Sequence, residues 1–314
     1  MWHELSKAFI YDFIGLEGKL AETSHFFVYD TVKIWFLLLT IIFAVSFLRS
    51  WVNTEYVRAH LQGKSALYGH VAAAGFGIIT PFCSCSAIPL FLGFIQARIP
   101  LGVTFSFLIS APMNNEVAIA MLFGLFGWKV TSLYIGFGLL VAIFGGLLIG
   151  KLNLEKEILM DVKPLETELQ AYFVKISFKE LTIEALAYTW DIFKKIYLYV
   201  LLGVGVGAWI HGYIPTDFIT QYTGKGNPFA VIIAVLMGIP MYSNAAGVIP
   251  LVEVLTAKGM LLGTALSFMM AVTALSLPEA LILKRIISIK LIAIFFGIVG
   301  SGIIAIGYLF NFIL

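Results

Sequence analysis

The chain is poor in charge and has few recognisable ligand motifs, and both features argue against particular classes of protein. Only 12% of its 314 residues are charged, the net charge is +2, and lysine and arginine stand at the ends of apolar runs. This pattern gives no indication of a nucleic-acid partner. The five histidines have no metal-ligand spacing, so neither a metal centre nor another cofactor is expected. Gly63-Lys64-Ser65 ends like a phosphate-binding loop, but Arg58 stands where its first glycine is required. We therefore do not expect an enzyme.

Apolar sequence is what the chain has in abundance. Hydrophobic residues make up 60% of it, and several runs approach the ~20 apolar residues that a helix needs to cross a bilayer. Examples are Thr31–Leu48, Val130–Ile149, Ile196–Ile210 and Leu291–Leu309. This composition predicts an all-α polytopic membrane protein with about 8–10 membrane-crossing segments and lipid as its main surrounding.

The two halves of the chain resemble each other when the sequence is shifted by 161 residues. Glycines, prolines and lysines recur in one register, which chance matches between apolar sequences rarely produce. The matching residues are Ile88-Pro89-Leu90 with Ile249-Pro250-Leu251, Gly63-Lys64 with Gly224-Lys225, Gly102 with Gly263, Ser106-Phe107 with Ser267-Phe268, Lys129 with Lys290 and Gly136 with Gly297. The chain is therefore expected to contain two homologous membrane halves.

The expected domains follow from this repeat and from the charged stretch between its halves. They are an N-terminal interfacial helix at residues 1–30, a first transmembrane repeat at 31–150, a cytoplasmic linker at 151–191 and a second transmembrane repeat at 192–314. Lysine and arginine favour the cytoplasmic side of short loops. With five spans in each half, this rule places Arg98, Lys151 and Lys290 on the linker side and Lys129 and Lys258 opposite. An odd number of spans makes the halves inverted repeats.

Proline breaks interrupt equivalent apolar segments in both halves. Residues 79–90 and 239–251 form one pair of broken segments, and a second pair follows at 111–116, inside the predicted span Leu101–Phe126, and at 275–279. In a bilayer, backbone leaves the helix only where it is buried in protein or lines a cavity. The matched breaks therefore predict half-helices at the membrane midplane around a central binding site. Ser84–Ala97 is short enough to be either re-entrant or a full crossing. The prolines assigned to the broken helices are Pro81, Pro89, Pro112, Pro240, Pro250 and Pro278.

Both cysteines of the chain, Cys83 and Cys85, fall in the first of these breaks, with Ser84 between them. A broken stretch can turn both thiols into one cavity, where thiolates suit a soft electrophile such as Cu(I), Zn(II) or trivalent arsenic. Two other interpretations stay open. Free cysteine also serves as a small buried hydrophobe. A strained disulfide across one intervening residue can alternatively cycle with the dithiol and relay electrons through the membrane.

Each half also carries a carboxylate inside an apolar segment. These are Glu116, which follows Asn114 and Asn115, and Glu279. A charged side chain at the bilayer centre costs at least ~2.5–3.5 kcal/mol on insertion scales, so such a residue is a candidate for function. Both glutamates are predicted to carry a coupling proton. The alternative is that each one only stabilises the start of a half-helix through the helix dipole. A passive channel would explain the repeat but not these acids.

Three motifs together resemble a known family. They are Thr80-Pro81-Phe82-Cys83-Ser84-Cys85-Ser86-Ala87-Ile88-Pro89, then Phe107-Leu108-Ile109-Ser110-Ala111-Pro112 with Asn115-Glu116, and Met241-Tyr242-Ser243-Asn244 with Ser276-Leu277-Pro278-Glu279. Over residues 30–312 the chain is similar to the ArsP-type predicted permeases, long known as a domain of unknown function. Characterised relatives export trivalent organoarsenicals such as methylarsenite. The resemblance therefore implies a secondary efflux permease in a prokaryotic inner membrane.

Taken together, these residues predict transport of a soft, thiol-reactive solute by alternating access, with the two halves rocking around a midplane site. The expected substrate-binding residues are Cys83, Ser84, Cys85, Asn114, Asn115 and Asn244, with Glu116 and Glu279 for proton coupling. Methylarsenite already uses one arsenic valence on carbon and can be held by two thiolates, whereas arsenite requires three, so the cysteine pair fits the methylated form. A permease for an unrelated small solute and the electron relay are the remaining alternatives.

Overall fold

Helices account for every regular element in the part of the chain that the structure describes. The computed structural model describes residues 7, 10–11, 18–49, 66–80, 84–159, 182–183, 185–187, 189–190, 193–194, 197–198, 201–202, 204–205, 208, 222–224, 226–241 and 245–314. Within these residues, β pairing is limited to two isolated bridges. Three helical stretches are long and apolar enough to cross a membrane, namely Glu116–Lys151, Leu262–Leu283 and Ile289–Ile313. The prediction of an all-α polytopic membrane protein is confirmed.

The described helices fall into two series with the same order. Helix α1 (Gly18–Arg49) precedes both series. The first series is α2 (Ala66–Ile79), α3 (Ser84–Gln96), α4 (Leu101–Met113) and α5 (Glu116–Lys151), followed by a 3₁₀ turn at Glu155–Glu157. The second series is α6 (Ala230–Gly238), α7 (Ala245–Ala257), α8 (Leu262–Ala274), α9 (Leu277–Leu283) and α10 (Ile289–Ile313). The first residues of α3 and α7, and those of α4 and α8, are 161 positions apart. This is the spacing at which the sequence repeats.

Helix α5 is divided into two arms by Gly127, which has φ 77° and ψ 178°. Glycine adopts a positive φ without the steric cost that a Cβ imposes, so the sequence places the break there. The equivalent residue of the second half is Ser288, the N-cap of α10, whose hydroxyl accepts from the Leu291 N–H. The first arm (residues 116–126) therefore corresponds to the segment that begins α9, and the second arm (residues 128–151) corresponds to α10.

Helices α4 and α8 form the centre of the molecule. Every residue of α4 is buried, and so is every residue of α8 after Leu262. Helix α4 packs against α2 and α5, α8 packs against α6 and α10, and α4 and α8 contact each other. Because lipid tails are as apolar as leucine, helices in a membrane associate through close packing rather than through the hydrophobic effect.

Close contacts of small residues recur in both halves and hold these central helices. A Cβ on Gly102 would lie 2.5 Å from the Gly146 carbonyl oxygen, and a Cβ on the equivalent Gly263 would lie 2.6 Å from the Gly307 carbonyl oxygen. No side chain fits at either crossing. The glycines that reveal the repeat in the sequence are thus required by equivalent helix crossings.

The second arm of α5 and α10 pack against each other in opposite directions. Gly145 lies against Ile298, and Gly302 lies against Val141. Residue numbers therefore fall along α10 as they rise along α5, which makes the two helices antiparallel.

Large apolar side chains remain exposed on the outer helices. Examples are Phe36, Trp128, Phe144 and Phe312, which is 88% exposed. Extended apolar surface of this kind is unfavourable in water, whereas lipid solvates it. The outer face is therefore suited to contact with the bilayer.

Some element boundaries differ from those expected. Helix α1 begins at Gly18, so the boundary expected at residue 30 falls inside a helix. Pro89 and Pro250 were expected at breaks, but they lie inside α3 and α7. Each removes one backbone donor, and a membrane helix tolerates this loss where neighbouring elements satisfy the freed carbonyl. Pro112 lies within α4, one residue before its end. Pro81, most of the interfacial helix, most of the linker and much of the span expected at residues 196–210 lie outside the described residues.

Candidate functional site

Two equivalent breaks lie where α4 leads into α5 and where α8 leads into α9. In the first, Asn114 has φ −110° and ψ 38°, and Asn115 has φ −60° and ψ 137°. In the second, Leu275 has φ −133° and ψ 32°, and Ser276 has φ −71° and ψ 146°. The backbone leaves the helix in the same way at both places. Pro278 follows the second break in the first turn of α9, a position where its fixed φ favours the start of a helix.

Asn115 and Glu116 begin helix α5. The Asn115 side-chain oxygen accepts from the Val117 N–H over 2.9 Å, which makes Asn115 the N-cap of the helix. Glu116 stands in the first turn, where a negative charge opposes the positive end of the helix dipole, and its side chain is exposed. Asn115 therefore has a structural partner, whereas the Glu116 carboxylate faces outward from the packed helices.

Asn114 is completely buried at the first break and is held by a chain of hydrogen bonds. Its Nδ2 donates to Ser110 Oγ over 3.4 Å, and Ser110 Oγ donates to the Ala74 carbonyl over 2.7 Å. Because the hydroxyl has a single proton, Ser110 can only accept from the amide, and this fixes which end of the amide faces it. Asn114 Oδ1 has no hydrogen-bond partner among the described residues. A buried acceptor without a partner calls for an explanation such as a bound ligand or water.

The second arm of α5 packs directly on this asparagine. A Cβ on Gly138 would lie 2.5 Å from Asn114 Oδ1 and 3.0 Å from Nδ2. Tyr134, one turn earlier, is fully buried, and its hydroxyl donates to the Met113 carbonyl over 2.7 Å. Together these contacts fix the end of α4. Sequence analysis did not identify Ser110, Tyr134 or Gly138 as contributors to the site. Ser110 belongs to a motif that carries the family resemblance, but a glycine within a helix is the sole signal for Gly138.

The polar contacts of the first half have apolar counterparts in the second. His70 Nδ1 lies 2.8 Å from Ser106 Oγ in the first half. The residues 161 positions after His70, Ser110, Asn114 and Tyr134 are Val231, Ala271, Leu275 and Phe295. The backbone is thus repeated, while its side-chain hydrogen bonds differ. Ser106 recurs as Ser267, and the second half has a pair of its own, in which Asn311 Nδ2 donates to Thr264 Oγ1 over 2.9 Å.

The second break carries its own polar groups, Ser276 and Glu279. Glu279 is fully buried in the first turn of α9, and neither carboxyl oxygen has a hydrogen-bond partner in the part of the chain that the structure describes. Ser276 Oγ is also buried and unpaired there. Burying a carboxylate is costly unless the charge is compensated, so this position requires a proton, a cation or a polar ligand.

Contacts between the halves bring the helices of the different breaks together. Helix α3, which begins at Ser84 and includes Cys85, packs against α9, which carries Glu279. In the reciprocal contact, α7 packs against α5. Within the second half, the Leu277 N–H donates to the Ile239 carbonyl over 3.0 Å. This bond joins the break before Pro240 to the one at Ser276.

Several predicted site residues cannot be placed in this arrangement. Cys83 and Asn244 lie outside the described residues, and for Ser84 and Cys85 the structure describes the backbone alone. In the described ranges, no group of three or more histidine, cysteine or acidic side chains is arranged to hold a metal ion. The described part of the site therefore consists of Asn114, Ser276 and Glu279 and the helix ends around them.

Comparison with known proteins links this arrangement to transport. A family model described as a predicted permease (ArsP_1) matches residues 19–312. The UPF0718 protein MJ0584 of Methanocaldococcus jannaschii is 23% identical over 321 residues, which covers 84% of this chain and 88% of the relative. A Streptococcus mutans protein named "Putative two-component membrane permease complex subunit" is 26% identical over 205 residues, covering 64% of this chain and 65% of its own length. No solved structure matches the chain.

The family match extends from α1 to α10 and includes both breaks and every buried polar group described above. Apolar outer helices and non-helical backbone at the centre are the features by which transporters build a site inside a membrane. The permease family and the permease-named relative identify a transporter rather than an enzyme. This chain belongs to the ArsP_1 family of predicted permeases.

Proposed function

We propose that the protein is a secondary permease that carries a small solute through a site at the helix breaks, by alternating access and with proton coupling. The observation that supports this most directly concerns unpaired polar atoms. Among the described residues, four of the six buried side-chain atoms without a hydrogen-bond partner belong to Asn114, Ser276 and Glu279. Unpaired polar atoms are costly in a protein interior, and their concentration at two equivalent breaks favours a site that is completed by a transported ligand.

We infer that the two halves are inverted repeats that move against each other. The second arm of α5 and α10 are equivalent in the repeat, and they pack antiparallel. The contact of α3 with α9 has a reciprocal partner in the contact of α7 with α5. Both features suit a pseudo-two-fold axis in the membrane plane, as in transporters whose halves rock around a midplane site.

Glu279 is our first candidate for the proton carrier. Its carboxyl group is enclosed by protein and has no described partner. The charged form would therefore need a bound solute to compensate it, and without one the group would hold a proton. Glu116 is the second candidate, and its exposure at the start of α5 also suits a role in stabilising the helix.

For the solute we propose a soft, thiol-reactive compound, a trivalent organoarsenical such as methylarsenite, exported across the inner membrane. Cys85 lies in the first turn of α3, Cys83 is two residues before it in the sequence, and α3 packs against the helix that carries Glu279. Two thiolates satisfy the two free valences of methylarsenite. The resemblance to ArsP-type permeases supports the same choice. Asn114, Ser84, Asn115 and Asn244 remain the proposed polar contributors.

The test is flux of methylarsenite in reconstituted vesicles, measured with and without an imposed proton gradient. Cys83→Ser and Cys85→Ser should each abolish transport while leaving the amount of folded protein nearly unchanged, because a hydroxyl replaces a thiol with little change in volume. Ser86→Ala, on the same turn of α3, is the matched control and should transport normally. Unaltered transport in both cysteine variants would show that the thiols contribute to packing and not to solute binding.

The same vesicles separate the alternatives. Flux that ignores the proton gradient would indicate a passive channel. Absence of flux together with reversible oxidation of the cysteine pair would indicate the electron relay. Gradient-driven flux of another solute would support the proposal of a secondary permease and show that the proposed arsenical substrate is wrong.

A further inference from the structure

A short segment after the first repeat, residues 154–159, pairs with a loop of the second repeat. We refer to this segment as the strap. The Leu159 N–H donates to the Ile286 carbonyl over 2.9 Å, and the Ser288 N–H donates to the Glu157 carbonyl over 2.8 Å. The strap thus pairs with the loop between α9 and α10 through a single antiparallel β-bridge, Ile158 with Ile287.

An ion pair reinforces this junction. Lys290 Nζ lies 3.0 Å from Glu157 Oε1. Hydrogen bonds from Ser288 and then from Lys290 hold the pKa of Glu157 below its usual range. The carboxylate that fastens the strap is therefore kept in its charged form.

The strap also faces the loop between α3 and α4. A pocket between them is lined by Arg98, Ile99 and Pro100 of that loop, by the flanking Ile95 of α3 and Leu101 of α4, and by Glu155 and Ile158 of the strap. Arg98 has a φ of 56°, whereas the equivalent residue of the second half is Gly259, with φ 100°. A non-glycine residue persists at positive φ where the surrounding structure holds it. The strap consequently lies over loops from both halves, at the face where the charge distribution places Arg98, Lys151 and Lys290.

The two loops under the strap end the two helices that lead to the candidate site. Helix α3 runs from Ser84, next to the cysteine pair, to Gln96, and α9 runs from Leu277, at the second break, to Leu283. The two helices pack against each other. The strap bonds to the loop after α9 and faces the loop after α3, so it spans the ends of both helices on this face, which we term the linker face.

We propose that the strap is the linker-side gate of the transport cycle. While residues 157–159 pair with residues 286–288, the route between α3 and α9 is closed on the linker face, and release of the strap opens the site to that face. This inference rests on the alternating access proposed above. The strap is suited to release, since none of its own residues is fully buried and the Lys290 side chain is 66% exposed. Contacts of this type are individually weak.

The first experiment tests the gate without any transported solute. The native thiols Cys83 and Cys85 serve as reporters and are labelled with a membrane-impermeant maleimide in vesicles of known orientation. Glu157→Lys and Lys290→Glu should each accelerate labelling from the linker face several-fold, and the double reversal should restore the wild-type rate. Lys129→Glu, at the equivalent position of the first repeat, should have no effect. Unchanged labelling in both single variants would overturn the gate.

The second experiment locks the strap. Ile158 and Ile287 form the bridge between the two flanking hydrogen bonds, an arrangement in which Cα atoms are about 4.5 Å apart, within the range of a disulfide. Oxidation of the Ile158→Cys/Ile287→Cys variant should stop methylarsenite transport, and reduction should restore it. The single variants and the wild type, treated with the same oxidant, are the controls.

The two experiments fail in distinguishable ways. Undiminished transport by the cross-linked protein would show that the strap is a static tether. If the wild type moves no methylarsenite, the proposed solute is wrong, while the labelling of Cys83 and Cys85 still decides whether the strap controls access.

Discussion

Replacing Gly138 by alanine should damage the first break, whereas the same replacement at Gly136 should not. A Cβ on Gly138 would lie 2.5 Å from Asn114 Oδ1, closer than non-bonded carbon and oxygen atoms approach. A Cβ on Gly136 would meet nothing within 4 Å. Both glycines lie in the second arm of α5, so the two substitutions differ mainly in what the new methyl group contacts.

The expected magnitudes follow from two opposing effects. Alanine is favoured over glycine inside a helix by about 0.8–1 kcal/mol, and this gain applies at both positions. At Gly138 it is opposed by overpacking, which costs about 1–3 kcal/mol in a well-packed core. The Asn114 side chain is fully buried and bonded to Ser110, so it has little freedom to move aside. Gly136→Ala should therefore be neutral or slightly stabilising, and Gly138→Ala should be less stable than Gly136→Ala by about 1–3 kcal/mol.

Unfolding of the purified protein in detergent, followed against temperature, measures this difference. In an Asn114→Ala background the three atoms nearest to the methyl group at position 138 are absent, so Gly138→Ala should cost much less there. Methylarsenite flux should fall in the single Gly138 variant and persist in Gly136→Ala. Equal unfolding midpoints for the two glycine variants would refute the contact between α5 and the first break.

Three further outcomes are expected. Glu279→Gln should keep the fold, since the carboxyl loses no described hydrogen bond. It should abolish proton-driven flux, while exchange of solute down its own gradient survives. Full proton-driven flux would exclude Glu279 as the proton carrier. Glu116→Gln should lower stability by about 0.3–1 kcal/mol through the helix dipole, and the same flux assay shows whether proton coupling is lost as well. Hydrogen bonds from Ser288 and then Lys290 lower the pKa of Glu157, so the contribution of its charge is present above the ordinary glutamate pKa and is lost as the pH falls through the lowered value. Glu157→Gln lacks this charge at every pH, so linker-face labelling of its cysteine pair should be faster than in the wild type at neutral pH, where thiolate is available to react with maleimide.

The repeated architecture could be predicted from the sequence because its requirements are local. Close helix crossings and the positive φ at residue 127 require glycine, and proline is found near the breaks because it interrupts a helix. These requirements can be read from the residue types in the sequence. Gly102 and Gly263 are examples, since each lies where a Cβ would strike a neighbouring backbone. The position of the second pair of breaks followed from the same residue types.

The environment of each side chain could not be predicted, because it depends on partners far away in the chain. Glu116 and Glu279 appear alike in sequence, yet one is exposed and the other is fully buried. Asn115 is predicted to bind substrate, and nothing local indicates that its side-chain oxygen also caps helix α5. The ion pair of the strap joins Glu157 to Lys290 across 133 positions, and nothing local to either residue indicates the other.

The two breaks show how a duplicated backbone can carry unlike chemistry. Asn114 and Leu275 have nearly the same backbone angles, yet the first is an amide held by hydrogen bonds and the second is a buried apolar side chain. The reverse holds four residues later, where Glu279 corresponds to Ala118. Among the buried polar side chains, the first break thus provides the Asn114 amide, and the second provides the Glu279 carboxyl together with the Ser276 hydroxyl. For the proposed permease this division has a physical advantage. A neutral amide can hold a solute without a change of charge, whereas an unpaired carboxyl responds to proton and solute, so we propose that binding and coupling are divided between the two halves.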